Sequence, residues 1–209
     1  MNQSHTTVSL GFTDEQFPAG THICQIYSDD AEREESLMKY ILSGLQAEEC
    51  TACFTDNTGT DTLTAFLSEN GISYETCEKA GLISVSKFRD AFVEDGRFDP
   101  ERSLNLMTEF HENSVASGAP AARSIGDASP AINDIPGADR WFEFEARVNL
   151  LLEKHPVTVV CQYDAKSFNG KTIMDVLKVH PLMVVRGAVV RNPSFIPPEV
   201  LLAEMNERN

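Results

Sequence analysis

The sequence predicts a three-layer αβα sandwich built on a mainly parallel sheet. Two observations lead there. From about residue 22 to residue 190, short apolar runs of strand length alternate with longer segments of helical spacing. The strand segments are continuous apolar runs, the pattern of strands covered by helices on both faces.

Residues 1–20 are polar and aperiodic and are expected to form a mobile leader. The domain is expected over 21–198. Residues 23–27 give a first strand, and Asp29 or Asp30 caps a helix whose Leu37, Met38, Ile41, Leu42 and Leu45 form one stripe. Residues 50–55 repeat the unit as a strand, followed by a helix from about Asp61 that buries Leu63, Phe66 and Leu67 and closes at Asn70-Gly71. Residues 82–85 are a third strand, and Asp99-Pro100 opens a helix with Leu104, Met107, Phe110, His111 and Ser114 on one side. Residues 121–125 are a fourth strand. A Gly-, Pro- and Asp-rich loop over 126–137 leads into a long helix with Trp141, Phe144, Val148, Leu151 and Leu152 inside, ending near His155-Pro156. Residues 157–163 are a fifth strand, and 182–190 give one or two more, interrupted at Gly187. Pro197-Pro198 starts a last amphipathic helix within 199–209, able to pack on the domain or on a partner.

Composition narrows the function classes. Seventeen Lys and Arg stand against 32 Asp and Glu, and the net charge of −15 repels nucleic acid and anionic membranes, so direct nucleic-acid binding is not expected. No apolar run approaches the length of a membrane span and the amino terminus lacks the pattern of a signal peptide, so a cytoplasmic protein away from membranes is expected. The five cysteines, at 24, 50, 53, 77 and 161, do not form a disulfide framework. Cys50 and Cys53 lie three apart on an expected strand and face opposite sides, which excludes ready chelation or a bridge between them.

Gly170-Lys171-Thr172 looks like the end of a phosphate-binding loop between a strand and a helix. The first glycine of that motif would fall on Ala165, and too few residues follow for the acid that would hold magnesium. A surface turn capped by Thr172 is the plainer reading.

In open parallel sheets ligands bind beyond the carboxyl ends of the strands. That rule selects Tyr27, Asp127, Tyr163 and Asp164, with Glu145 of the long helix behind them as a carboxylate on an apolar face that needs a partner, Arg123 or His180. His22 lies at the opposite end if the first strand starts there. His22 and Cys24 share one face of the first strand, and Cys161 and Tyr163 one face of the fifth. If those strands are neighbours, a His, two thiols and a phenol converge and could hold a soft metal or a polarizable ligand. The alternative is a core in which His22 satisfies a backbone group. Without fixed metal-ligand spacing, no metal or other cofactor is assigned. His155 and His180 each precede a proline at a helix end, where an imidazole can bond the last carbonyls.

Several short motifs in order also carry a resemblance: Gly20-Thr21-His22-Ile23-Cys24 with Tyr27, residues 123–127, Phe144-Glu145-Ala146, Cys161-Gln162-Tyr163-Asp164, His180-Pro181 and Asn192-Pro193. Over about residues 20–198 the chain resembles the MEDS domain, the methanogen and methylotroph sensory domain. The resemblance implies a divergent RecA-like fold whose nucleotide site is lost, a role in sensing small molecules, and a function for His180. Asp127 stands where relatives often have Glu, and no helix-turn-helix precedes the domain. The expected function is non-enzymatic sensing of a small organic ligand, with a signalling partner such as a kinase or regulator and a possible homodimer. The alternatives are a metal- or cysteine-dependent hydrolase using His22, Cys161 and Asp127, or a residual nucleotide-binding protein.

Overall fold

The computed structural model describes residues 6–128 and 135–207. Its strands and helices follow the expected alternation, with additions. A hairpin of β1 (Thr7–Ser9) and β2 (Gln16–Pro18) comes first. Then follow β3 (His22–Tyr27), α1 (Asp30–Gln46), β4 (Cys50–Phe54), α2 (Thr60–Glu69), α3 (Tyr74–Lys79) and β5 (Ile83–Ser86). A short helix α4 (Phe88–Phe92) and a small ribbon, β6 (Val93–Glu94) with β7 (Arg97–Phe98), precede α5 (Pro100–Ala116). Next are β8 (Ala122–Asp127), α6 (Trp141–Leu152), β9 (Val157–Asp164), α7 (Gly170–Val179), β10 (Leu182–Val185), β11 (Ala188–Arg191) and α8 (Pro198–Asn206).

The main sheet has the order β11-β10-β3-β9-β8-β4-β5, and only β11 runs antiparallel. β10 and β11 are joined through Arg186 and Gly187, both at positive φ (50° and 79°), the backbone a tight hairpin turn needs. Interior strands are buried on both sides. One face carries Ile23, Cys53, Ile125 and Val160 into a core with Leu37, Ile41 and Leu63 of α1 and α2. The other carries Cys24, Ala122, Val159 and Tyr163 against Phe88, Leu104, Trp141 and Phe144 of α4, α5 and α6. That is the expected αβα sandwich with a mostly parallel sheet.

Some expectations need correcting. The described part of the leader is built into the fold: Val8 and Phe17 are buried, Leu10 is fully buried, and Ser43 of α1 donates to the Ser9 carbonyl at 3.0 Å. Residues 1–5 and the middle of the 126–137 loop lie outside the described residues. The turn before α7 is capped by Asn169, which accepts from the Thr172 N–H at 3.0 Å, so Thr172 is the capped residue and not the cap. His155 lies edge-on to the His111 ring at 5.3 Å, and its buried Nδ1 has no hydrogen-bond partner. Its backbone N–H, not its side chain, takes the Leu151 carbonyl. The last helix packs on the domain itself, with Leu201 buried against Ala146 and Val179. Cys50 and Cys53 do face opposite sides: Cys50 Sγ lies 3.7 Å from Ser117 Oγ at the end of α5, while Cys53 packs in the α1–α2 core. Among the described residues no helix is long and apolar enough to cross a membrane.

Candidate functional site

β3 and β9 are neighbours, and their parallel register sets Cys24 beside Cys161 and Ile26 beside Tyr163. Strand alternation then turns His22, Cys24, Cys161 and Tyr163 toward α6. Glu145 on α6 meets them. Its Oε1 accepts from the Tyr163 hydroxyl at 2.5 Å, and its Oε2 lies 3.2 Å from His22 Nε2 and 3.8 Å from Nε2 of His180, which follows α7. His22 Nε2 is also 3.7 Å from Cys161 Sγ, and the two imidazole centroids are 4.3 Å apart. His22, Glu145, Tyr163 and His180 are each at most 2% exposed. The ligand atoms of His22, Glu145, Cys161 and His180 all lie within 4.8 Å of one another.

Burial alone would raise the pKa of Glu145, but His22, His180 and Tyr163 outweigh it and hold the carboxyl below its ordinary value. The same burial, with His22 beside it, pushes His180 down to about 4. Burial and then the Glu145 charge push the Cys161 thiol and the Tyr163 phenol well above their ordinary values, and Cys24 up to about 12. Glu145 is therefore the anion of the cluster, and Cys161 with nothing bound is a protonated thiol.

Among the described residues, those expected at the carboxyl edge do not gather on one face. Tyr163 and Asp164 are consecutive in β9 and face opposite sides of the sheet, as any adjacent strand residues must. Tyr27, Asp127 and Asp164 belong to the α1 side, while His22, Glu145, Tyr163 and His180 gather on the α6 side. Tyr27 donates to Asp127 Oδ2 at 3.1 Å, and Asn57 donates to the same oxygen at 3.3 Å. Asp164 accepts from the backbone N–H of Lys166 and the hydroxyl of Ser167 in its own turn. Arg123 is not the partner of Glu145: it points to the α1 side, donates to Glu49 Oε2 at 2.6 Å and lies over the Tyr40 ring. Of the two partners expected for Glu145, His180 is the one present. His180 also has the expected capping bond, Nδ1 to the Val176 carbonyl at 2.8 Å.

Beside the cluster lies a cavity of about 360 Å³ between the sheet and α4, α5 and α6. Its lining includes Phe54, Phe88, Phe92, Phe110, Trp141 and Phe144, with Ser124, Asp90 and Arg102 among the polar groups, and Glu145 and Cys161 connect it to the cluster. It runs along the face of the sheet and reaches the carboxyl ends of β5 and β8 at Phe88 and Ala128.

The model of the methanogen/methylotroph, DcmR sensory domain matches residues 21–181. The chain belongs to the MEDS family. The transcriptional repressor DcmR of Methylorubrum extorquens is 27% identical over 162 residues, which are 76% of this chain and 57% of the repressor. In solved structures the chain is similar to the flagellar accessory protein FlaH of Methanocaldococcus jannaschii (TM-score 0.62, 11% identity, covering 89% of this chain and 84% of that one). It is also similar to a KaiC-like protein of Pyrococcus horikoshii (TM-score 0.59, 16% identity, covering 86% and 80%). The fold is RecA-like.

In this MEDS chain the segment after β3 carries carboxylates at the start of α1. Asp29 caps α1 by accepting from the Ala31 N–H at 3.0 Å, so a carboxylate already fills the anion position of the helix end. Arg33, fully buried, is held by Asp30 at 2.6 Å and Thr58 at 3.2 Å. Lys171 of the Gly-Lys-Thr segment pairs with Asp175 at 2.8 Å on an exposed surface.

Sequence reasoning missed Asn149, which reaches His22 Nδ1 with its Oδ1 at 3.2 Å. Its position was legible: Asn149 follows Glu145 by one helical turn on the same face of α6. The cavity was not legible, because α4 is too short to show a period and its place over the sheet depends on packing.

Proposed function

We propose that this chain is a non-enzymatic sensory module that takes up a small, largely apolar organic molecule in the cavity between the sheet and α4, α5 and α6, and passes the signal on by association with a regulatory protein. The cavity carries this reading. Protein interiors pack at crystal-like density with few voids larger than a water molecule, so about 360 Å³ lined by aromatic and aliphatic side chains is a binding feature. Ligand sites typically span about 300–1,000 Å³ and combine apolar walls with a few polar groups, among them here Ser124, Asp90, Arg102, Cys161 and Glu145. Membership of a sensory family and likeness to a repressor support the signalling role. The charge of −15 favours a protein partner, such as a kinase, a regulator or a second copy, over direct contact with DNA. Five free thiols suit the reducing cytoplasm.

The hydrolase alternative fares worse. Asp127 is turned to the opposite face from His22 and Cys161, and the Cys161 thiol is pushed away from the thiolate a nucleophile needs. Trp141, the chain's single tryptophan, lines the cavity and reports on it directly. Titration with benzene and with one- to three-carbon halocarbons and alcohols should change Trp141 emission saturably for at least one class. Ala52→Leu, which fills the cavity from β4, should abolish that change with the melting temperature preserved. If no probe alters the emission, or if Ala52→Leu responds as the parent does, the cavity is not the sensory site.

A further inference from the structure

We propose that His22, Glu145, Cys161 and His180 form a binding site for one divalent metal ion of the zinc class. Asn149 donates its amide to the Glu145 carbonyl at 3.1 Å and to the Val179 carbonyl at 2.8 Å. Its Oδ1 is thus the acceptor toward His22, and the hydrogen between them sits on His22 Nδ1. The Val176 carbonyl can only accept, so His180 also carries its hydrogen on Nδ1. In the neutral tautomer each ring turns its Nε2 lone pair to the same place, and His180 Nε2, fully buried, has no hydrogen-bond partner. Facing them is Glu145 Oε2, while Tyr163 occupies the other carboxylate oxygen. The Cys161 S–H can serve one of these acceptors at a time, and His180 Nε2 is left without a donor. A proton would satisfy one contact; a cation satisfies them all.

The donor set and spacing fit. Zinc binds His nitrogen at about 2.0–2.1 Å and Cys sulfur at about 2.3 Å, so donors at the corners of a tetrahedron stand about 3.3–3.8 Å apart. Three of the six separations are 3.2, 3.7 and 3.8 Å, and all lie within 4.8 Å, so the set closes on an ion by small side-chain shifts. Two imidazoles, a thiolate and a carboxylate suit zinc or cobalt, whereas magnesium and calcium prefer oxygen alone. The charges also close: one thiolate and one carboxylate neutralise a divalent ion, as a buried site requires. Loading is an exchange in which the ion takes the place of the Cys161 thiol proton, that proton leaves to solvent, and four metal–ligand bonds form with no change of oxidation state. Each imidazole donates its other N–H to a fixed oxygen, the outer support that metal-binding histidines need. Cys161, part-exposed to the cavity, gives the ion a route in.

The test uses the full chain stripped with a chelator and titrated with Co²⁺. The expected result is one ion per chain, the intense visible bands of tetrahedral cobalt, a near-ultraviolet thiolate-to-cobalt charge-transfer band, and displacement by Zn²⁺. Cys161→Ser should lose the charge-transfer band, and Cys77→Ser should keep it. Asn149→Ala should weaken affinity by about ten- to a hundredfold, the cost of losing an outer support. Should Cys161→Ser not fold, the parent alone decides, because bound Zn²⁺ must raise its melting temperature and protect one thiol from alkylation. A weak octahedral cobalt spectrum, a charge-transfer band that survives Cys161→Ser, or no thermal shift with Zn²⁺ would overturn the proposal. Repeating the Trp141 titration on stripped and loaded protein separates this outcome from that of the cavity, which can bind an apolar molecule with or without the ion.

Discussion

Acid should destabilise the metal-free protein through His180 first. Burial, followed by the neighbouring His22, holds its pKa at about 4 against an ordinary 6.5, while Glu145 and the Val176 carbonyl only partly offset that. The folded state thus binds the proton less tightly than the unfolded chain. Its stability is intact above pH 6.5 and falls as pH drops toward 4, below which the loss stops growing. A gap of about 2.5 units, at about 1.36 kcal/mol per unit, amounts to about 3 kcal/mol. That is a large part of the roughly 5–15 kcal/mol that holds a domain together. Glu145 acts in the same direction but later, since its folded pKa lies below 4.5 and its contribution is lost only as pH falls through that value. In the range from 6.5 to 4.5 histidine dominates, opposed in part by Glu49, whose carboxyl is held above its ordinary value by burial. Urea unfolding with a chelator present, at half-unit steps through that range, gives the slope. His180→Asn, whose side-chain amide can still donate to Val176, should flatten it, while His111→Gln, at a half-buried histidine whose pKa is also lowered, should remove only a small part. An unchanged slope in His180→Asn, or stability that rises on acidification from 6.5 to 4.5, would refute the account.

Mg-ATP should show no binding heat at micromolar protein, and Lys171→Ala should change nothing, because Lys171 is exposed and paired with Asp175; calorimetry on both proteins decides. Glu49→Gln should cost about 3–5 kcal/mol in urea unfolding, since it leaves the fully buried Arg123 guanidinium without its carboxylate; a loss under about 1 kcal/mol would mean that water reaches the pair.

The fold was legible because its signals are local. Five strands of the sheet lie within two or three residues of the apolar runs that predict them, and Asp29, Asp99 and the Asn70-Gly71 pair end or begin helices where their chemistry says they should. The hairpin at 7–18 escaped because its strands are three residues long, too short for Val8, Leu10 and Phe17 to show a period. The site was half legible, and the division is informative. Alternation along each strand showed that His22 goes with Cys24 and Cys161 with Tyr163, and the apolar face of α6 marked Glu145 as a carboxylate in need of partners. What joins these pieces is that β3 lies next to β9, though residues 22 and 161 are 139 apart in the chain. Strand order is decided by how whole crossovers pack, and no window of sequence contains it. The expectation of a carboxyl-edge pocket failed for the opposite reason, since the contrary signal was local and available: Tyr163 and Asp164 are adjacent on one strand and cannot line the same pocket. A rule for where ligands sit in a fold selects an end of the sheet, whereas the pleat selects a face. In this chain the face decides, because both the imidazole cluster and the cavity lie under α6, whereas Tyr27 and Asn57 on the other side each donate to Asp127.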